Sequence, residues 1–583
     1  MLSQSHLLPA HLLPVSGPAP PWTPTCALWW RPVNGLILTL GILLAGVSAA
    51  AGTAPDGSPP QVREINRLLQ QSWQENEMIP SPTCRDGKWC RRVYLDILGR
   101  IPTIAELNAF VDDMTADKKL RLVNLLLSSS HTEEYARNWT ALWTNILIGR
   151  SGGTERNSRT HRPGMQQYLH ESLSRNKPYD QLVHELISAR GASKPGVDQF
   201  NGAVNFLAMK LEEGAAQATA KTSQIFMGVR LQCTQCHPHP FNTWKQERFW
   251  ELNAFFQQAV ALRRFEGGRN IAHIDLENQD YQGPTKDPEE AEVFYDQRNG
   301  VRVATYPVFT DMDGKRTELD RSGYIDEVDR REELAKLVVQ SGYFPVALVN
   351  RIWAHFLSFG FTKPFDDMGP HHPPSHPELL MYLSQQFRAR GYDLKELIRW
   401  IALSDAYSLS SRFGEGNTED DPALGNPPSF SRFYPRQMRA EELYESLLVA
   451  TQADKTSSDL EKQNSDKEAW LRQFVIAFGT DENDEANTFN GTIPQILTLF
   501  NGGLVKRATS TETGSFLQQV SSDPTLRPTA KINRLFQAAL ARKASPEERR
   551  WANKLLKNRQ SMEDALQDVW WTLLNTNEFI LKH

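Results

Sequence analysis

Apolar residues recur at helical spacing through most of the chain. Leu120, Val123 and Leu127 fall on one face, and Trp139, Trp143 and Leu147 on another. Leu348, Ile352, Phe356 and Phe359 mark a third face, and Leu566, Val569, Trp570 and Leu573 a fourth. The polar run from Ser172 to Pro178 separates two helices. Ala215-Ala-Gln-Ala-Thr-Ala-Lys221 is rich in helix formers and leads into Ile225-Phe-Met-Gly-Val229, so a helix opens just after Gly214. Between about Val260 and Thr310 the period changes. Gly267-Gly268, Gly283-Pro284 and Asn299-Gly300 break the chain, and Val301-Arg-Val-Ala-Thr-Tyr-Pro-Val-Phe309 is β-rich. Ser408 to Pro435 reads as loop, and Ala453 to Lys467 as a polar, mobile segment. No fixed-period repeat is present. The pattern predicts a mainly α protein: two helical domains, 60–258 and 329–580, joined by a small β-containing segment at 259–328.

The N-terminus reads as a signal peptide over residues 1–51. Arg31 precedes the short apolar run Leu36-Ile-Leu-Thr-Leu-Gly-Ile-Leu-Leu-Ala45, and Val47-Ser-Ala-Ala-Ala51 supplies small residues for cleavage. The run is too short to span a bilayer, so no transmembrane span is expected in the mature chain. The expected location is the periplasm or cell envelope. The 583 residues are 40% hydrophobic and 23% charged, ordinary globular usage, with net charge −5. That balance gives no electrostatic argument for a nucleic-acid partner.

Export changes how the cysteines read. Cys26 leaves with the leader, and Cys84, Cys90, Cys233 and Cys236 remain. An oxidising compartment permits a Cys84–Cys90 disulfide across Arg-Asp-Gly-Lys-Trp. The distinctive run is Leu231-Gln-Cys-Thr-Gln-Cys-His-Pro-His-Pro-Phe241. Cys233-x-x-Cys236-His237 has the spacing of covalent c-type haem attachment: two thiols a turn apart reach both vinyl groups, and the adjacent imidazole reaches the iron. Met209, Met227, Met368, His273, His371 and His372 are of the right type for a sixth ligand, and nothing in the sequence selects among them. Three rival readings stand beside haem. Zinc or iron could be held by both cysteines with His237 or His239, with Cys84 and Cys90 as further donors. The pair could be a redox dithiol, or a plain structural disulfide. The corresponding functions are electron transfer or redox chemistry with a redox partner protein, a non-haem metal-dependent hydrolase or binding protein, and an envelope scaffold. Whether the chain is an enzyme stays open.

A second group is Asp366, Asp367, His371, His372 and His376, within eleven residues of a Pro-rich stretch. It could hold a metal that activates water. The structural reading has Asp367 capping a turn and Ser375 capping a helix from Glu378 to Phe387. Arg351 and His355 share a helix face, with Asp366 the expected buried partner of Arg351. Tyr94, Asp96 and Arg100 invite the same structural reading. Trp139, Trp143, Trp353 and Trp570 fall on core patterns, which disfavours carbohydrate binding. P-loop, G-x-S-x-G and H-E-x-x-H motifs are absent.

At these residues the chain resembles a family: the consecutive domains of unknown function 1549 and 1553 of secreted, cytochrome-like proteins from planctomycetes and related bacteria. Arg91-Arg-Val-Tyr-Leu-Asp-Ile-Leu-Gly-Arg-Ile-Pro-Thr103, Tyr135-Ala-Arg-Asn-Trp139 and Gly228 to Phe241 with Trp244 resemble the first domain. Val349-Asn-Arg-Ile-Trp-Ala-His-Phe356, Asp366-Asp367, Pro373 to Leu380, Tyr407-Ser-Leu-Ser-Ser411, Arg439-Ala-Glu-Glu442 and Ala539 to Glu548 resemble the second. The resemblance implies an exported protein with a cytochrome-like motif. The chain departs from the pattern at Asn138, where relatives often have His, and at His371-His372, where an Asn-containing run is common.

Overall fold

A computed structural model describes residues 57–479 and 493–583. Residues 1–56, which include the expected leader and Cys26, and the segment 480–492 lie outside the described residues. The mainly α expectation holds, and the periodic faces coincide with helices. Lys118–Leu126 carries Leu122, Val123 and Leu126 inward, and Thr132–Ile148 buries Trp139, Trp143 and Leu147. Tyr343–Leu357 is buried along nearly its whole length, and Met562–Leu574 buries Leu566, Val569, Trp570 and Leu573. Arg162–Ser174 and Tyr179–Ser188 flank the break at Arg175 to Pro178. Among the described residues no helix is long and apolar enough to cross a membrane.

The strands fall where the period changed. Ala259–Glu266 and Asn270–Asn278 form an antiparallel hairpin across Gly267-Gly268, both at positive φ. Gly191–Ala192, from the preceding helical stretch, adds to its other edge through Gly191 opposite Leu276. Two further hairpins follow, Val293–Asp296 with Arg302–Thr305 and Val308–Thr310 with Arg316–Glu318. Helix returns at Arg330–Gln340, capped by Asp329. Arg436–Gln437 pairs with Leu581–Lys582 beyond this segment.

The hydrophobic interior is shared across the chain. One cluster combines residues such as Trp139 and Phe226 with Trp353 and Phe387, and so draws on both helical stretches. A second, from Met438 to Ile580, takes in Leu95 and Ile101 from the first stretch.

Several local expectations are corrected. Ala453 to Lys467 is ordered as a short 3₁₀ turn, Ala453–Thr456, and the start of helix Leu460–Phe478, whose N-terminus Asp459 caps. Cys84 and Cys90 are free, with Cys90 buried inside helix Asp86–Leu98 and Cys84 just before it. The helix expected from Glu378 to Phe387 is Pro377–Ala389, with His376 at the cap position, and Ser375 Oγ bonds His376 Nδ1 at 3.0 Å instead of capping a backbone N–H. Asp366 pairs with Arg230, not Arg351, whose guanidinium lies over the Phe365 ring.

Candidate functional site

The motif follows helix Glu212–Phe226, regular only beyond Ala215. Gly228 turns the chain at φ +65°, a conformation that admits glycine without strain. A Cβ there would lie 2.5 Å from Met368 Cε, so the position is also a close approach. Val229 and Leu231 bury themselves, and Gln232–Gln235 forms a single 3₁₀ turn. Thr234 is fully buried and donates to the Leu231 carbonyl at 2.6 Å, while Cys233 and Cys236 are exposed and free. The Gln235 carbonyl accepts from Gln246 Nε2 at 3.1 Å and Trp250 Nε1 at 3.0 Å, which anchors the turn to helix Gln246–Asn253. His237 Nδ1 lies 2.7 Å from the Pro238 carbonyl. Since that carbonyl can only accept, Nδ1 carries the proton and Nε2 keeps its lone pair.

His239 points inward. Its Nδ1 accepts from Phe241 N–H at 3.2 Å, so its proton sits on Nε2. The ring stands edge-on to Trp244 at 5.4 Å and 4.9 Å from the His371 ring. Burial, and then the neighbouring His371, hold its pKa below the ordinary histidine value.

The second group meets the first here, across more than a hundred residues of sequence. Asp366, 1% exposed, accepts from Arg230 at 2.6 and 3.1 Å and from Gln224 at 2.8 Å. Met368 N–H donates to the Gly228 carbonyl at 2.7 Å. These bonds dock the loop after helix Tyr343–Leu357 on the motif. Asp367, His371 and His372 then each offer a ligand atom within 4.8 Å of the others. Asp366 thus positions the loop, and Asp367 takes no cap. His376 is apart from the group, packed between Phe361 and Phe430. Of the sixth-ligand candidates, Met227 and Met368 are buried in the core, Met209 is exposed, and His273 faces Asp275 at 3.4 Å on its own strand.

A buried polar network lies elsewhere. Asp96 accepts from Lys582 at 2.8 Å, Arg436 at 3.1 Å and Tyr407 at 2.6 Å. Glu442 takes Arg436 and Arg439, and Arg439 reaches Asn138 at 2.6 Å. His355 Nε2 is 3.9 Å from Asp96 and is held well below its usual pKa by burial. Asp96, His355 and Glu442 are close enough for a metal, but both carboxylates are already saturated by cations. The network is a clamp between the two helical stretches. Asp96 and His355 were readable as structural, whereas Arg436 and Lys582 carried no sequence signal.

A cleft of about 1620 Å³ opens on another part of the surface, with Cys84, Arg85, Lys88, Arg412 and His583 in its walls. Burial pushes the Lys88 ammonium below its usual pKa. Sequence reasoning did not find this cleft, because its walls come from five separated segments.

Comparison with known families gives two consecutive matches. Residues 64–261 match the family described as PSCyt2, protein of unknown function (DUF1549). Residues 330–487 match PSD1, protein of unknown function (DUF1553). The unmatched interval between them, 262–329, contains two of the hairpins whole and the third except for its opening residues 259–261. No curated protein and no solved structure matches the chain.

Proposed function

We propose that the protein is exported and carries a covalent c-type haem on Cys233 and Cys236, with His237 as proximal ligand, for electron transfer or redox chemistry. The observation that carries this reading is the presentation of the motif. Cys233 lies on the 3₁₀ turn and Cys236 directly follows it, both thiols free and exposed, while the buried Thr234 between them anchors the turn. The hydrogen bond of His237 Nδ1 to the Pro238 carbonyl is the second-shell contact that fixes a metal-ligating imidazole with Nε2 available. The donor set therefore fits the group. Haem, when bound, supplies one-electron chemistry at the iron. The chain's own part is positional: Gln246 and Trp250 hold the thiol-bearing turn, and Trp244 packs behind the inward-facing His239. The leader at 1–51 agrees with this reading, because c-type haem is attached outside the cytoplasm.

Intact mass under denaturing conditions tests the attachment, on protein from a host that matures exported c-type cytochromes. A haem-sized increment is expected, absent from Cys233→Ala/Cys236→Ala. An unmodified native mass would refute the reading.

A further inference from the structure

Beside the thiol-bearing turn, we infer that Asp367, His371 and His372 form a second, separate site for a single divalent transition-metal ion of the zinc or ferrous class. The inference does not depend on haem, because none of the three residues belongs to the motif.

Two imidazoles and one carboxylate are the donor set that such ions prefer, whereas calcium and magnesium take oxygen ligands alone. The three side chains already converge. His371 Nε2 and His372 Nδ1 both lie 3.4 Å from the same oxygen, Asp367 Oδ2, and His372 Nδ1 also lies 3.0 Å from the Asp367 carbonyl, a hydrogen bond whose proton a bound ion would displace. At 3.4 Å neither ring makes a good hydrogen bond to Oδ2, so the carboxylate is crowded by two rings without being satisfied by them. Its other oxygen, Oδ1, is buried with no hydrogen-bond partner. An orphaned buried carboxylate oxygen is costly, and a cation bound at the cluster would relieve that cost. The exposures fit a site at a surface: Asp367 keeps 13%, His371 8% and His372 32% of their side-chain exposure.

The surroundings hold this geometry. Gly369 lets the loop fold tightly, since a Cβ there would meet His371 Cε1 at 2.8 Å. His372 N–H donates to the Gly369 carbonyl at 3.0 Å. Asn242 Nδ2 lies 3.5 Å from His371 Nδ1, and the His239 and Trp244 rings wall the same side. His239 stands outside the three converging donors, with its Nδ1 occupied by Phe241 N–H. Asp366 is excluded by its bonds to Arg230 and Gln224. Three protein ligands leave coordination positions for water or a substrate oxygen, the condition for metal-assisted chemistry.

The test uses the full chain, stripped with a chelator and titrated with Zn(II) by calorimetry. One Zn(II) per chain is expected. Asp367→Asn, nearly isosteric, and His372→Gln should each weaken binding at least about tenfold. Melting temperature and far-UV circular dichroism verify that both variants are folded. Cys233→Ser/Cys236→Ser should bind Zn(II) as the native chain does, which also separates this site from the haem reading. Absence of Zn(II) binding, binding that survives both loop substitutions, or binding lost with the cysteines would each overturn the inference.

Discussion

His376 should make the fold sensitive to acid in a way that one substitution removes. The ring is 7% exposed, sits against Phe361 and Phe430, and has Nε2 buried without a partner. Burial pushes its pKa down to about 4, and Asp420 offsets this only in part. In the unfolded chain the value is about 6.5. Between the two values the unfolded chain holds a proton that the folded chain does not, so stability falls as pH falls. The full effect is about 3.4 kcal/mol, of which about 2 kcal/mol is lost by about pH 5. Urea unfolding of the native protein and His376→Phe at about pH 7.5 and about pH 5 measures it. The native protein should lose about 2 kcal/mol relative to the variant on acidification. Parallel behaviour of the two would refute the reasoning and return His376 to an accessible, ligand-like setting.

Two other substitutions probe the framework of the site. Gly228→Ala imposes a left-handed alanine and drives a Cβ against Met368, so urea unfolding should show a loss of about 1–3 kcal/mol. An unchanged midpoint would mean that the two loops are not docked as described. Lys582 is fully buried beside Asp96, and burial, followed by Arg436, pushes its pKa down to about 7. The unfolded lysine titrates near about 10.4, so raising the pH through this interval favours the folded state. Relative to Lys582→Met, the native protein should gain about 2 kcal/mol between about pH 7 and about pH 9, and a flat difference would contradict the burial argument.

The helices that were legible in the sequence are those with a sharp apolar stripe. Helix Thr132–Ile148 shows Trp139, Trp143 and Leu147, and the β-containing segment announces itself through its glycine turns. Helix Leu460–Phe478 escaped because its first turns are almost wholly polar. Its signals were nevertheless present: the Asp459 cap, and Trp470, Phe474 and Phe478 at helical spacing. The motif residues were legible because their spacing is local. The meeting of His239 with His371 was not, since it depends on how two distant loops pack. The choice of Arg230 by Asp366 is of the same kind: Arg351 has the right charge and a nearby number, but it stacks on Phe365. Buried cations such as Arg436 and Lys582 read as surface residues in any sequence pattern, and only the folded network explains them.

The proposed function rests on haem carried by the exposed thiol pair. A pyridine haemochrome spectrum of mature protein, from a host with haem-c maturation machinery, tests it most directly. A c-type α band at one haem per chain is expected, and it should disappear in Cys233→Ala/Cys236→Ala. A colourless native protein whose two motif thiols titrate as free would contradict it.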